Sequence, residues 1–347
     1  MAKLIIHAVN VHRGGGAVLL LELLRSIPEE VQVVVNVDER MGFPEDFLRR
    51  ADVWKYGATI WSRFVAELRL ARTTGPDDKV LCFGNLPPLF KLRGAATVFL
   101  QNRYLVDSFR LAGCLPLKVR FRILGERLWL RWFRHRAVNY FVQTQSMRRL
   151  TEASLGVRTE LAPFTMAVRR PIDESKGGRA AITADFLYVA SGEEHKNHKV
   201  LLEAWSLLAE EGLYPTLALT LEETAWAKLI ERIESKCQRT GMRIKNLGLV
   251  PHDQLREIYR QSGALIYPSL FESFGLPLIE AAALGMPLLA GELDYVRDIA
   301  EPEETFDPHS SISIARAVKR HMKKHKPSFE PISASAFISR VLEIQKT

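Results

Sequence analysis

The sequence predicts an α/β protein with two doubly wound domains that face each other across a cleft. The chain has 347 residues, more than the about 100 to 200 residues that one domain usually holds. Short apolar runs alternate with helical patterns in both halves, which is typical of parallel sheets covered by helices. A polar stretch with Pro and Gly, residues 169–179, separates the two series and predicts a junction between domains.

The first series opens with a strand at residues 3–9, a glycine loop at 14–16 and a helix at 17–27, in the order expected of a strand–loop–helix unit. The pattern predicts further strands and helices in this half. The strands are expected at residues 31–37, 80–83, 95–100 and 137–142, and the helices at 60–72 and 117–134.

The second series repeats the alternation. Its strands are expected at residues 186–190, 216–221, 243–247, 264–267 and 287–290, and its helices at 198–208, 224–240, 253–261 and 277–284. We therefore predict an N-terminal domain over residues 1–168, a C-terminal domain over 169–330, and a final helix within 331–347 that packs back on the first domain. Ligands of such sheets bind outside the carboxyl ends of the strands, so the cleft is the expected site.

Charge and cysteine content limit the possible partners and compartments. The formal net charge is +8, which favours an anionic partner: nucleic acid, a phospholipid surface or a phosphorylated small substrate. The three cysteines lie far apart, which argues against a disulfide framework and a zinc cluster and favours the cytoplasm. The N-terminal apolar run is too short for a signal peptide or a spanning helix.

Residues 267–291 carry the clearest site signal, because a strand end, a loop, a glycine and a helix start follow one another. Pro277 suits the first turn of a helix, where its missing amide hydrogen is not needed. The unpaired amide groups near Phe274, Gly275 and Leu276 would point into the cleft with the positive end of the helix dipole. Such an arrangement suits a diphosphate.

Glu272 and Glu280 flank this helix start, and carboxylates readily accept hydrogen bonds from hydroxyl groups. The sequence between them, ESFGLPLIE, resembles the E(x7)E motif of the retaining glycosyltransferases of family 4, which have two Rossmann-like domains in the GT-B arrangement. ALIYPS before it and AAALGMP after it extend the resemblance. The resemblance implies that Glu280 holds the ribose hydroxyls and Glu272 contacts the reacting sugar. The alternative is a solvated Glu272 and a Glu280 that only favours the helix start.

A second resemblance lies in YVASGEEHKNHKVLLEAW, residues 188–205. It implies that Lys196 projects toward the donor phosphates and that Ser191 and His195 lie at the donor site. Asn197 is expected to cap the following helix with its side chain. Many family members carry an arginine shortly after this strand, where this chain has SGE, so more of the phosphate charge would rest on Lys196 and the helix amides.

The N-terminal half offers weaker signals. NVHRGGGA, residues 10–17, resembles the family's glycine-rich loop, which implies that Gly15 and Gly16 approach the donor; a plain structural turn is the alternative. It matches neither a dinucleotide fingerprint nor a Walker loop, which argues against a nicotinamide dehydrogenase.

Polar residues that follow two strands are candidates for binding the acceptor or the sugar: Gln101, Asn102, Arg103 and Thr144. Many family members have a histidine near the first of these, so we expect hydrogen bonding here rather than acid or base catalysis. The alternative is that these residues cap the strand ends.

The segment KVRFRILGERLWLRWFRHR, residues 118–136, contains seven Lys or Arg residues among aromatic ones. A basic amphipathic helix of this type suits an anionic membrane surface. The alternative is an ordinary helix whose aromatic side chains face the sheet and whose arginines are solvated.

Taken together, the resemblance implies a retaining hexosyltransferase with an N-terminal acceptor domain and a C-terminal donor domain. It would move a sugar from a nucleoside-diphosphate sugar to a saccharide or lipid-linked acceptor in the synthesis of lipopolysaccharide O-antigen, capsule or exopolysaccharide. The enzyme would work in the cytoplasm or at the inner face of the cytoplasmic membrane.

No cofactor is expected and no metal, since His195 and His198 have no third ligand nearby. The alternatives are a nucleotide-sugar epimerase of the same fold and a basic nucleic-acid-binding protein; nucleic acid is disfavoured, because it would not require ESFGLPLIE behind a strand.

Overall fold

The computed structural model describes residues 2–12, 14–43, 51–107, 117–164 and 182–324. Within these ranges the chain forms two parallel sheets covered by helices. The first has the strand order β3-β2-β1-β4-β5-β6-β7 and the second the order β10-β9-β8-β11-β12-β13, and neighbouring strands pair in parallel. The prediction of two facing doubly wound domains is confirmed.

The first sheet and its helices come from the N-terminal half. The strands are β1 Leu4–Ala8, β2 Val33–Asp38, β3 Asp52–Tyr56, β4 Lys79–Cys82, β5 Ala95–Phe99, β6 Asn139–Val142 and β7 Thr159–Leu161; the helices are α1 Gly14–Arg25, α2 Ile60–Thr73, α3 Leu117–Phe133 and α4 Gln145–Leu155. Short 3₁₀ turns lie at Arg103–Leu105 and Arg134–Arg136.

The second sheet comes from the C-terminal half. Its strands are β8 Ala184–Tyr188, β9 Leu217–Leu219, β10 Ile244–Asn246, β11 Ser262–Tyr267, β12 Leu288–Gly291 and β13 Glu304–Phe306; its helices are α5 His198–Glu210, α6 Ala227–Thr240, α7 His252–Arg260, α8 Leu276–Ala283, α9 Asp294–Arg297 and α10 Ser311–His321. A 3₁₀ turn at Glu194–Lys196 precedes α5.

The central strands are apolar on both faces because helices cover both sides of each sheet. Ala264, Leu265 and Ile266 of β11 are fully buried, and Trp205 of α5 packs edge-on against Phe186 of β8. Because neighbouring strands pair in parallel, their carboxyl ends lie at one edge of each sheet. The loops at these edges form the cleft.

Several elements were missed by the sequence analysis. β3 lies at the edge of its sheet and is largely exposed, so it has no apolar run. α4 is marked by two end signals that were not used: Thr144 caps its start, and Gly156 ends it with a φ of 62°. β7, β13, α9 and α10 were missed as well.

Two of the predicted features fall outside the described part of the chain. The predicted junction at residues 169–179 and the predicted final helix near the C-terminus lie outside the described residues. Among the helices within the described ranges, none has the length and apolar character needed to cross a bilayer.

Candidate active site in the cleft

A cavity of about 740 Å³ lies between the two halves and is lined by residues of both. Eleven of the fourteen residues proposed to contact the donor, the sugar or the acceptor line it. They are Gly15, Gly16, Gln101, Asn102, Ser191, Lys196, Glu272, Phe274, Gly275, Leu276 and Glu280. A concave space with converging polar groups is the usual form of a ligand site.

The Glu272 carboxylate receives three hydrogen bonds at Oε1. Lys196 Nζ donates at 2.6 Å, the Ser269 hydroxyl at 2.7 Å and the Tyr267 hydroxyl at 3.0 Å. Burial opposes the charge on Glu272, but the Lys196 ammonium and these hydrogen bonds hold its pKa below the usual value. Burial, together with the nearby Glu272 charge, raises the pKa of Tyr267 well above its ordinary value. Tyr267 is therefore a neutral donor to an ionised carboxylate.

The loop that carries Lys196 is fixed by its neighbours. The Tyr188 hydroxyl donates to the Lys196 carbonyl at 2.6 Å. Asn197 has a left-handed backbone with a φ of 63°, and its amide donates to the carbonyls of Pro268 and Pro308 at 3.1 and 2.6 Å. The prediction that this side chain caps α5 is wrong, because α5 has no side-chain cap and the amide instead ties the loop to two others.

The two histidines near Lys196 play separate structural parts. His198 donates from Nε2 to the Ser191 carbonyl at 2.8 Å, and burial lowers its pKa to about 4, so the ring is neutral. His195 lies outside the cavity lining, with Nδ1 3.3 Å from the Tyr104 hydroxyl, and burial with the Lys196 charge lowers its pKa. The described residues contain no group of three His, Cys, Asp or Glu arranged to hold a metal.

Helix α8 begins at Leu276, one residue before the predicted start. Gly275 precedes it with a φ of 67°, and Pro277 lies in its first turn. No side chain caps this helix start, so its first amide groups are directed at the cavity without competition from a capping side chain. One turn into the helix, the Glu280 carboxylate accepts from His252 Nε2 at 2.9 Å and from the Tyr259 hydroxyl at 2.8 Å.

The glycine loop of the N-terminal half approaches α8 across the cleft. Gly14 has a φ of 68° and opens α1. A Cβ atom on Gly15 would lie 3.1 Å from Leu276 Cδ1, which is tighter than ordinary contact. The loop therefore comes close to the start of α8.

Amide side chains line the cavity on the side of the N-terminal half. Asn85 has a φ of 72°, and its Oδ1 accepts from the backbone amides of Gln101 and Asn102 at 2.6 and 2.8 Å. Gln101 also donates from Nε2 to the Phe83 carbonyl at 3.3 Å, and Asn10 donates to the Gly84 carbonyl at 2.9 Å.

Arg103 and Thr144 do not line the cavity but contact the other half of the chain. Arg103 pairs with Asp107, stacks over the Phe271 ring and donates to the Glu272 carbonyl at 3.5 Å. Thr144 accepts from Met147 N at the start of α4, the capping role that was its alternative, and its hydroxyl donates to the Ser273 carbonyl at 3.5 Å.

Several cavity residues were missed by sequence reasoning. They are Asn10, Asn85, Gln143, Thr220, Glu222, Trp226 and His252. The signal that could have found most of them is position, because they follow the carboxyl ends of parallel strands.

Comparisons with known proteins agree with this arrangement. Residues 170–334 match the family described as Glycosyl transferases group 1. The chain is 32% identical to O-antigen chain mannosyltransferase B of Escherichia coli over 119 residues, 33% of this chain and 30% of that protein. It is 28% identical to the serotype-specific mannosyltransferase WbdA of E. coli over 170 residues, 46% of this chain and 20% of that protein. The chain thus spans less than a third of the length of these relatives.

Among solved structures, Anabaena Alr3699/HepE in complex with UDP and glucose superposes with a TM-score of 0.68 at 14% identity, over 93% of this chain and 90% of that one. The lipopolysaccharide outer core galactosyltransferase WaaB superposes with a TM-score of 0.60 at 14% identity, over 92% and 91% of the two chains. These structures share the two-domain fold. Residues 170–334 therefore match a glycosyl transferases group 1 domain, and the described part of this range, residues 182–324, forms one half of a GT-B fold.

Proposed function

We propose that this chain is a retaining glycosyltransferase that moves a hexose from a nucleoside-diphosphate sugar to a saccharide or lipid-linked acceptor. The observation that carries the proposal is the convergence of Lys196, Glu272, Glu280 and the start of α8 on one cavity. Each of these groups fits one part of such a donor, and all lie in the group 1 domain.

The leaving diphosphate fits the cation and the helix start. Lys196 has three hydrogens on its ammonium, and one is used by Glu272. The others can reach phosphate oxygens while the first amides of α8 add the positive end of the helix dipole. Bond cleavage at the anomeric carbon places negative charge on the diphosphate, and groups already fixed in position stabilise that charge most effectively.

The reacting sugar fits the space beside Glu272. The carboxylate is ionised and held by Lys196, Ser269 and Tyr267, so it can accept hydroxyl groups of the sugar or stabilise positive charge at the anomeric carbon. Gln101 and Asn102 on the facing half present amide groups rather than an acid or a base, which supports hydrogen bonding to the sugar or acceptor from that side.

The reaction is proposed to need no bound metal or other cofactor. The support is that Lys196 and the α8 amides already supply positive charge at the diphosphate position. In enzymes that use a divalent ion for this purpose, the ion bridges the phosphate oxygens and neutralises the same developing charge.

We further propose that the enzyme works at the cytoplasmic face of a membrane, in envelope polysaccharide synthesis. Apolar side chains of α3 form an exposed stripe at helical spacing: Leu117, Phe121, Leu124, Leu128 and Trp132, between 41% and 71% exposed. Exposed basic residues flank the stripe: Lys118, Arg120, Arg122 and Arg131. An apolar stripe edged with cations suits the interface of an anionic bilayer.

The alternative for α3 was that its aromatic side chains face the sheet. This holds for Trp129. Trp129 donates from Nε1 to the Pro87 carbonyl at 2.9 Å, whereas Phe121 and Trp132 are about 70% exposed. Arg127 is held within the fold, because it donates to the carbonyls of Tyr104 and Asp107. The surface charge of α3 therefore comes from its other basic residues.

A transfer assay with a matched pair of lysine variants tests the function. Purified protein is incubated with labelled nucleotide sugars and saccharide or lipid-linked acceptors, and we expect one nucleoside diphosphate released for each sugar transferred. Lys196→Ala should abolish transfer, whereas Lys199→Ala, an exposed lysine on the next helix, should not. Conversion of the donor sugar without transfer would indicate an epimerase. Salt-sensitive nucleic-acid binding without nucleotide-sugar binding would also contradict the proposal.

A further inference from the structure

Both carboxylate oxygens of Glu280 are held by side chains of one helix, α7. His252 Nε2 lies 2.9 Å from Oε1, and the Tyr259 hydroxyl lies 2.8 Å from Oε2. His252 also lines the cavity beside Glu280. No sequence motif pointed to either partner.

The helix geometry explains how two residues reach one carboxylate. His252 and Tyr259 are seven positions apart, two turns of α7, and so lie on the same face. Tyr259 is 3% exposed, and burial with the Glu280 charge raises its pKa well above the ordinary value. Tyr259 is thus a neutral donor, and because a carboxylate accepts, the His252 Nε2 atom must carry a hydrogen.

These two hydrogen bonds fix the plane of the Glu280 carboxylate and leave it able to accept further hydrogen bonds. Each oxygen of an ionised carboxylate has about two acceptor positions, and α7 fills one on each oxygen of Glu280. One further donor can therefore bind each oxygen. Two acceptors held side by side match two neighbouring hydroxyl groups, such as the 2′ and 3′ hydroxyls of ribose.

We propose that His252 is a positioning residue that orients Glu280 to receive a vicinal diol, and that it thereby sets the preference of the cleft for ribonucleotides over 2′-deoxyribonucleotides. This inference rests on the proposed function, because it takes the ligand to be a nucleoside diphosphate. Tyr259 orients the same carboxylate from the buried side, whereas His252 does so from the cavity wall.

Calorimetric titration with UDP, GDP and ADP, each beside its 2′-deoxy counterpart, tests this inference. Wild type is expected to bind at least one ribonucleotide on the order of 10-fold more tightly than the deoxy form, as for a lost hydrogen bond to a charged group. His252→Ala should weaken ribonucleotide binding more than deoxynucleotide binding, since the 2′-deoxy forms keep only the 3′ hydroxyl, and should raise the donor KM with kcat retained. His252→Gln, which can place a donor near the former Nε2 position, should restore part of the preference.

A double-mutant cycle separates positioning from a direct contact. If His252 acts through Glu280, the variant His252→Ala/Glu280→Ala should bind no more weakly than Glu280→Ala alone. Tyr259→Phe keeps the buried ring and removes only the hydroxyl, so it should reduce the same preference without unfolding the domain. Gln254→Ala, at an exposed position of the same helix, is the control and should behave as wild type.

The outcomes distinguish this inference from the proposed function. Equal loss of ribonucleotide and deoxynucleotide binding in His252→Ala, or additive losses in the double variant, would overturn the positioning role. So would an unchanged preference in His252→Ala. If wild type binds none of the nucleotides, the proposed function itself is contradicted, and this inference with it.

Discussion

The Lys196 ammonium lies 2.6 Å from Glu272 Oε1 in the wall of the cleft, and the two side chains are only 15% and 13% exposed. Removing such charges from water is costly unless each finds good partners. Hydrogen bonds from Ser269 and Tyr267 add to the ion pair on the carboxylate. The pair therefore holds an ionised carboxylate and a cation in fixed positions before any donor binds.

Replacing Glu272 with Ala should lower turnover far more than donor binding. The carboxylate is assigned to the reacting sugar, so its loss should reduce kcat on the order of 100-fold, the scale of losing one preorganised electrostatic contact. Lys196 loses a partner in the same variant and becomes more available to phosphate, so the affinity for the nucleoside diphosphate should not fall.

Steady-state kinetics and calorimetry measure the two effects separately. Tyr267→Phe is the matched control, since it removes one of the three hydrogen bonds to Oε1 and should give a much smaller loss of kcat. Equal losses of kcat and donor affinity in Glu272→Ala, or no loss of either, would refute the assignment of this carboxylate to the sugar.

The helix start near Gly275 and the fold class could be predicted from the sequence because their causes are local. Proline, glycine and alternating apolar runs act over a few residues. The partners of Glu280 could not be predicted, since His252 and Tyr259 lie 28 and 21 positions before it and meet it only after α7 and α8 flank β11. Asn197 was misjudged for a related reason: its side chain binds loops far along the chain, which outweighs the local tendency to cap.

Activity should survive strong chelation. The diphosphate charge is assigned to Lys196 and the α8 amides, so treatment with EDTA should leave kcat within about twofold, a difference in activation free energy below about 0.5 kcal/mol. The transfer assay before and after dialysis against the chelator measures this. Loss of turnover that magnesium or manganese restores would show that a metal takes part.

The protein should bind anionic vesicles through α3 and release them as salt rises. Each basic side chain near such a surface contributes roughly 1 kcal/mol, and this attraction decays over a Debye length of about 8 Å at physiological salt. Arg120→Gln combined with Arg131→Gln should weaken binding about 30-fold on that scale. Replacing exposed Phe121 and Trp132 with Gln should remove the apolar anchor.

Vesicle sedimentation measures this binding. Ile312→Gln is a suitable control, because Ile312 is a similarly exposed apolar residue, 53% exposed, on α10 of the other domain. Equal recovery with neutral and anionic vesicles, unchanged in the α3 variants, would mean that the exposed stripe serves another purpose.

The central claim is that the cleft binds a nucleoside diphosphate through Glu280, and calorimetric titration of wild type and Glu280→Ala tests it most directly. Wild type should bind at least one nucleoside diphosphate saturably with one site per chain. Glu280→Ala should bind it more weakly by about 1.5 to 3 kcal/mol, the usual scale for hydrogen bonds to a charged group. Glu210→Ala, at an exposed position at the end of α5, should match wild type. Equal affinities for wild type and Glu280→Ala would contradict the claim.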